Sequence, residues 1–258
     1  MIIHFFGTCA GTEPMPGRRH VSFAIETRGD IYWFDAGEGC SYTAHLMNVD
    51  LQSVRCVFIS HTHMDHVGGL GNLFWNIRKL STIYNKIKDR QIELFIPNLK
   101  TWEGIKQVLE NTEGGFQCSF TINTNQIKDG ELYNQNGFRV TALHNNHIPK
   151  KEGEPWRSFS FLIETEGKRV VYSGDVKSVE DIAPLIDDCD LLLMETGHHK
   201  VEDICNYIKE KGKRVKMLGF IHHGRDILLN SSTQLQKAKD IFSEQVFITE
   251  DGTSLELK

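Results

Sequence analysis

Apolar residues fall along the chain in short runs, separated by amphipathic stretches and turn signals. Residues 2–6 predict a first strand, and 21–27 and 31–34 predict two more joined by a turn at Arg28-Gly29-Asp30. A helix over 40–47 precedes the apolar run Cys56-Val57-Phe58-Ile59, which reads as a buried strand. Leu70, Leu73, Phe74, Ile77 and Leu80 then recur at helical spacing. They predict a helix over 70–89, basic towards its end through Arg78, Lys79, Lys86, Lys88 and Arg90. A strand at 92–97, an amphipathic helix at 99–110 and short strands at 118–122 and 137–143 follow. Glu166-Gly167 turns a hairpin between 158–165 and 168–174. A buried strand at 190–195, a helix to about 211, a strand at 215–221, a helix at 231–242 and tail strands within 246–257 complete the pattern. Strands alternating with helices place the chain in the α/β class. Trp75 and Trp102 read as core or cleft wall.

Polar residues able to bind metal gather where these apolar strands end. The densest stretch is His61-Thr62-His63-Met64-Asp65-His66, between the strand ending at Ile59 and the helix opening at Leu70. Ligand clefts of α/β proteins open at that place. His61 and His63 are two residues apart, so in extended backbone both imidazoles point the same way and can hold one cation. Asp65 and His66 come after the chain turns and can reach a second. Imidazole and carboxylate are the usual ligands of zinc and related divalent ions. Two such ions about 3.5–4 Å apart can share a hydroxide and clamp both oxygens of a displacement. The pattern recurs at His144-Asn145-Asn146-His147, at Ser173-Gly174-Asp175, at Glu195 with His198 and His199, and at His222-His223. The spacing alone does not choose between His144 and His147. Asp35, in Phe34-Asp35-Ala36-Gly37, reads either as a helix cap or as support for the metal loop.

Composition narrows the class without naming it. The 258 residues are 40% hydrophobic and 24% charged, which is ordinary for a globular protein. The net charge of -5 gives no drive towards nucleic acid or anionic membrane. No apolar run is long enough to span a bilayer, and the first residues lack the features of a signal peptide. Six cysteines without a C-x-x-C pair fit a reduced, cytoplasmic protein.

The His61–His66 stretch resembles the signature of the metallo-β-lactamase-fold hydrolases. G-T-x-A-G…P…R-x-x-S-F over residues 7–23 and the D-G-x-x-x-x-L tail from Asp251 to Leu257 resemble the ribonuclease Z and cyclic-phosphate phosphodiesterase branches. The resemblance implies an αββα sandwich formed as a single hydrolase domain over 1–258. It implies two divalent ions, Zn2+ with Mn2+ or Fe2+ as alternatives, held by His61, His63, Asp65, His66, His147, Asp175 and His222. It places the bridging carboxylate at Asp175, and a Glu and a His for leaving-group protonation at Glu195 and at His198 or His199. Asp65, Glu195 and His199 are thus the expected catalytic residues.

The expected function is a phosphodiesterase acting on a small-molecule or nucleotide-like phosphodiester through a metal-bridging hydroxide. The alternatives are an ester, lactone or thioester hydrolase of the same fold, or a non-catalytic metal-binding scaffold. Only 27 residues separate His147 from Asp175, too few for the long tRNA-gripping arm that ribonuclease Z carries there, so tRNA is not the expected substrate. No membrane partner is expected, and a homodimer is compatible with the sequence.

Overall fold

Arg28 and Gly29 both take positive φ, 54° and 80°. That is the primed turn whose twist suits a tight hairpin. It joins β2 (Ser22–Thr27) to β3 (Asp30–Phe34) in a computed structural model that describes every residue except Lys88 and Glu113. The chain divides into two compact units, one of Met1–Gly7, Met15–Ile127 and Glu250–Lys258, the other of Thr8–Pro14 and Lys128–Thr249.

The first unit holds a seven-stranded sheet. β1 (Ile2–Gly7) runs antiparallel to β2 and to the tail strand β14 (Thr253–Glu256). β3, β4 (Val54–Phe58), β5 (Gln91–Ile96) and β6 (Thr121–Gln126) are parallel neighbours in that order. Parallel neighbours need crossovers. These carry α1 (Cys40–Leu46), then α2 (Met64–Val67) with α3 (Leu70–Tyr84), then α4 (Leu99–Glu110). The apolar face of α3, Leu70, Leu73, Phe74 and Ile77, is buried against Trp33, Val57, Leu94 and Trp102. Phe23, Phe34, Phe58 and Phe95, one on each of four adjacent strands, stack with centroids 5.0, 5.0 and 4.9 Å apart. Trp102 is core, as expected; Trp75 is partly buried, with the Arg78 and Lys79 cations 4.9 and 4.8 Å from its ring centroid.

Two sequence expectations shift in this unit. α3 stops at Tyr84, short of the expected 89, because Asn85 takes a left-handed cap with φ 52°; Lys88 lies outside the described residues. The strand expected at 118–122 begins at Thr121 instead. Cys118 and Phe120 alternate like a strand because they pack on the core, but pairing with β5 starts at Thr121 opposite Gln91.

The second unit holds another seven-stranded sheet. β7 (Gly130–Gln135), β8 (Phe138–His144), β9 (Phe159–Thr165) and β10 (Lys168–Tyr172) form an antiparallel meander. β10, β11 (Leu191–Thr196), β12 (Met217–His223) and β13 (Gln245–Ile248) continue it in parallel. All six residues of β11 are buried, the mark of a central parallel strand. α5 (Val201–Glu210) and α6 (Arg225–Ile241) follow β11 and β12, and Val201, Ile204, Ile208, Ile227 and Ala238 join the core with Leu192 and Leu218. β7 had no counterpart in the sequence expectation. α6 starts at Arg225 rather than 231 and breaks its helical geometry at Asn230 (φ -143°, ψ 49°), the residue before the predicted start.

Candidate metal centre

In the first unit the site is built at the ends of β3 and β4. Asp35 leaves β3 with φ 51° and its side chain is fully buried. Its Oδ1 accepts from the Ser60 amide at 2.7 Å, and its Oδ2 accepts from Ser60 Oγ at 2.7 Å and from His66 Nδ1 at 2.8 Å. α1 is capped by Gly39 without a side-chain bond, so Asp35 braces the loop beyond β4 instead of capping a helix. With Nδ1–H donated to the carboxylate, the His66 lone pair is on Nε2, the tautomer a metal-binding histidine needs.

The same loop groups all four expected ligands of this unit. His61 Nε2 is 3.0 Å from His63 Nδ1, the His61 and His66 ring centroids are 3.9 Å apart, and His66 Nε2 is 3.4 Å from Asp65 Oδ2. His63 is extended (φ -69°, ψ 153°) and α2 is the single turn that swings Asp65 and His66 round to meet it. Gly69 lets this turn lie on the Asp35-Ala36-Gly37 segment: its amide donates to Ala36 O at 2.7 Å, and a Cβ there would stand 2.2 Å from Gly37 O.

In the second unit, strand ends again supply the groups. Gly174 has φ 54° and turns the chain after β10 into Asp175, which is 2% exposed. His222, near the end of β12, also sits in the left-handed region with φ 52°. Its Nδ1 is 3.2 Å from Asp175 Oδ1 and 3.5 Å from Glu195 Oε2. His147 Nε2 is 3.7 Å from Asp175 Oδ2. Asp175, Glu195, His198 and His222 each offer a ligand atom within 4.8 Å of the others.

Glu195 is the hub of that group. Its Oε1 accepts from the Val176 amide at 3.2 Å, its Oε2 from the His198 amide at 2.9 Å, and His198 Nδ1 is 2.9 Å from Oε1. Burial works to raise the Glu195 pKa, but the hydrogen bonds from His198 and His222 outweigh it and hold the carboxyl well below the usual range. The bond to Glu195 in turn raises the pKa of His198 against its partial burial. Of His198 and His199, the sequence reading favours His199 as the proton donor. The structure gives them different surroundings. His198 has its side chain 46% exposed and its ring 5.0 Å from His147 and 5.8 Å from His222. His199 is 14% exposed, and its Nε2 donates to the Val176 carbonyl at 3.0 Å, 3.6 Å from Glu195.

The end of β8 separates His144 from His147. The His144 ring pairs with Asp129 at 2.6 Å and stacks on Trp156, while the His147 ring stands beside Asp175. Asn145 between them is fully buried. Its Oδ1 accepts from the His147 amide at 3.2 Å and from Ser158 Oγ at 2.5 Å, and its Nδ2 donates to Ser160 Oγ at 3.0 Å. Ser160 Oγ donates to Ser173 O, and Ser173 Oγ accepts from the Glu195 amide at 3.0 Å. Sequence reasoning missed this relay, because serines alternating with Phe159 and Phe161 read only as a strand. It also missed Gly197, where a Cβ would meet His222 Nδ1 at 2.7 Å. Gly197→Ala is expected to push the His222 ring aside and weaken metal binding about 10- to 100-fold, measured by competition with a chromogenic chelator.

The donor sets in both units consist of imidazole nitrogens and carboxylate oxygens, the chemistry that zinc and neighbouring divalent ions take. The comparisons bear on the fold and the class of chemistry. A ribonuclease Z of Archaeoglobus fulgidus is 24% identical over 99% of this chain and 97% of its own, and one from Methanothermobacter thermautotrophicus is 23% identical over 100% and 97%. Among solved structures, the metallo-β-lactamase fold protein YhfI of Bacillus subtilis superposes with TM-score 0.75 at 18% identity, covering 98% of each chain. The human short-form tRNase Z superposes with TM-score 0.74 at 19% identity, covering 100% of each. The α/β sandwich expected from the sequence is therefore the fold, and the chain is a metal-dependent hydrolase of the metallo-β-lactamase class. Residues 1–239 match the family described as Anti-Pycsar protein Apyc1, and the chain belongs to that family. Among the described residues, no helix is long and apolar enough to cross a membrane.

Proposed function

We propose that residues 1–258 act as one hydrolase domain, a cytoplasmic phosphodiesterase that uses two divalent metal ions on a small or nucleotide-like phosphodiester. The observation that carries the reading is the Glu195–His198 pair placed against Asp175 and His222. Cleaving a phosphodiester expels an alkoxide, which needs a proton as it departs. A carboxylate on Nδ1 orients the imidazole and favours its protonated form, so Nε2–H of His198 is the donor. Glu195 orients that ring; Asp35 fixes the tautomer of His66; Asn145 holds the His147 segment.

His61, His63, Asp65, His66, His147, Asp175 and His222 would serve as the metal ligands. Bound there, the ions would supply Lewis-acid activation of the phosphoryl group and of water. The histidine-rich set favours zinc, and manganese or iron is compatible with it. The ribonuclease name of the relatives supports the phosphorus chemistry. A small substrate is favoured over tRNA because the alignment to the Archaeoglobus fulgidus relative runs to 311 positions against a chain of 258, so that relative carries stretches this chain lacks. Elemental analysis of protein loaded with zinc or manganese should find about two ions per chain. Protein that retains none after loading would overturn the reading.

A further inference from the structure

In the parallel pairing of β12 with β11, Ile221 lies opposite Glu195 and His223 opposite Thr196, so the register slips at His222. With its φ of 52°, His222 is the extra residue of a bulge, a device that re-aims a side chain beside an active site. The bulge gives two neighbouring histidines different work. The His222 ring stands against Asp175 and Glu195, whereas His223 is fully buried and bonds elsewhere. A residue other than glycine keeps left-handed backbone only where its surroundings hold it there. Four hydrogen bonds converge on His223. Its amide donates to Thr8 O at 2.7 Å, and its carbonyl accepts from the Ala10 amide at 3.1 Å, which sets Cys9 beside it as a parallel bridge. Its Nε2 donates to Thr249 O at 2.9 Å, which leaves Nδ1 to accept from Thr196 Oγ1 at 3.2 Å. Thr249 is tied in turn to Phe220 O, by its amide at 3.0 Å and its hydroxyl at 2.8 Å.

We propose that His223 is a positioning residue for the metal centre: with the Thr8–Ala10 loop it clamps the bulge, so that His222 Nδ1 faces Asp175 and Glu195. This rests on the reading of His222 as a metal ligand. Three separate segments, at Thr8–Ala10, Thr196 and Thr249, are fastened to the one residue that follows the bulge, so the chain cannot relax at His222 without breaking a buried bond. A relaxed, extended His222 would turn its imidazole away from the two carboxylates. The clamp also gives a use to the G-T-x-A-G motif of residues 7–11, because Thr8 O and the Ala10 amide close it. Two glycines complete it. A Cβ at Gly224 would stand 2.9 Å from Thr196 O, and one at Gly197 would stand 3.1 Å from the Ala10 Cβ.

The test uses the protein loaded with cobalt(II), whose visible absorption reports the geometry of its ligands. His223→Leu, similar in volume but unable to hydrogen-bond through its side chain, should shift that spectrum. It should also weaken zinc binding, measured by chelator competition, about 10- to 100-fold. His223→Gln, whose carboxamide N–H can still reach Thr249 O, should restore most of both. Ile204→Ala, which removes a buried core side chain from α5, should lower stability and leave the cobalt spectrum unchanged. A His223→Leu protein with the wild-type spectrum and zinc affinity overturns the proposal. Equal weakening in His223→Leu, His223→Gln and Ile204→Ala also overturns it, because that is general loosening. Should His223→Leu fail to fold, Thr196→Val, which removes the bond to Nδ1, decides in its place: a shifted spectrum upholds the clamp and an unchanged one overturns it. If wild-type protein takes up no cobalt, the reading of His222 as a ligand fails. The nitrogen-15 resonances of the His222 ring then decide the clamp: moved in His223→Leu but not in Ile204→Ala, they uphold it; unmoved in both, they overturn it.

Discussion

His198→Ala should keep its metal ions and lose about 10²–10⁴-fold in turnover of a phosphodiester with an alkoxide leaving group. The same variant should lose far less on a nitrophenyl ester, because nitrophenolate departs without a proton. The difference arises from the Glu195–His198 contact at 2.9 Å and from the partial exposure of the His198 ring beside His147 and His222. His199→Ala should show little dependence on the leaving group, since that ring is spent on the Val176 carbonyl. Steady-state kinetics on the two esters, with metal content measured on the same samples, reads the effect directly. Equal losses for His198→Ala on both esters would remove the proton-donor role and leave only a structural one.

Asp35→Ala should cost about 3–5 kcal/mol of stability, the cost of breaking a buried pair from one side. Three donors lose their acceptor at once in a fully buried place: the Ser60 amide, the Ser60 hydroxyl and His66 Nδ1. The left-handed backbone at Asp35 would then be retained without the bonds that hold it. Urea denaturation measures the loss. Metal affinity, read separately under native conditions, should fall about 10- to 100-fold as His66 loses its orienting carboxylate. A variant as stable as the wild type would show that Asp35 does not brace the loop.

Much of the architecture was legible because its signals are local. α4 falls on the expected 99–110, and the turns at Arg28-Gly29 and Glu166-Gly167 take the positive φ values that their residue types suggest. The strand that feeds His61 was visible as an uninterrupted apolar run. β7 was not, because Gly130-Glu131-Leu132-Tyr133-Asn134-Gln135 is an edge strand carrying breakers and polar groups and pairing, among the described residues, with β8 alone. The start of α6 was obscured by the irregular backbone at Asn230 and by Leu229, which is exposed.

The site shows the same division. Residue type and spacing marked the polar clusters at the strand ends, and the family resemblance named the ligands within them. Which of two nearby histidines faces the cluster depends on side-chain packing that no periodicity encodes. His147 stands by Asp175 because Asn145 and the serines behind it hold that segment; His198 is turned to Glu195 by bonds to both its amide and its ring. Gly197 carries no signal of its own in the sequence; the position of the His222 ring gives it a reason.

The most direct test of the account is a side-by-side assay of metal-loaded protein on a chromogenic phosphodiester, a thioester and a lactone, with zinc or manganese added stepwise. The account predicts that turnover of the phosphodiester exceeds that of the other two and rises to a plateau near two equivalents of metal. Turnover of the thioester or lactone with the phosphodiester left intact would contradict it.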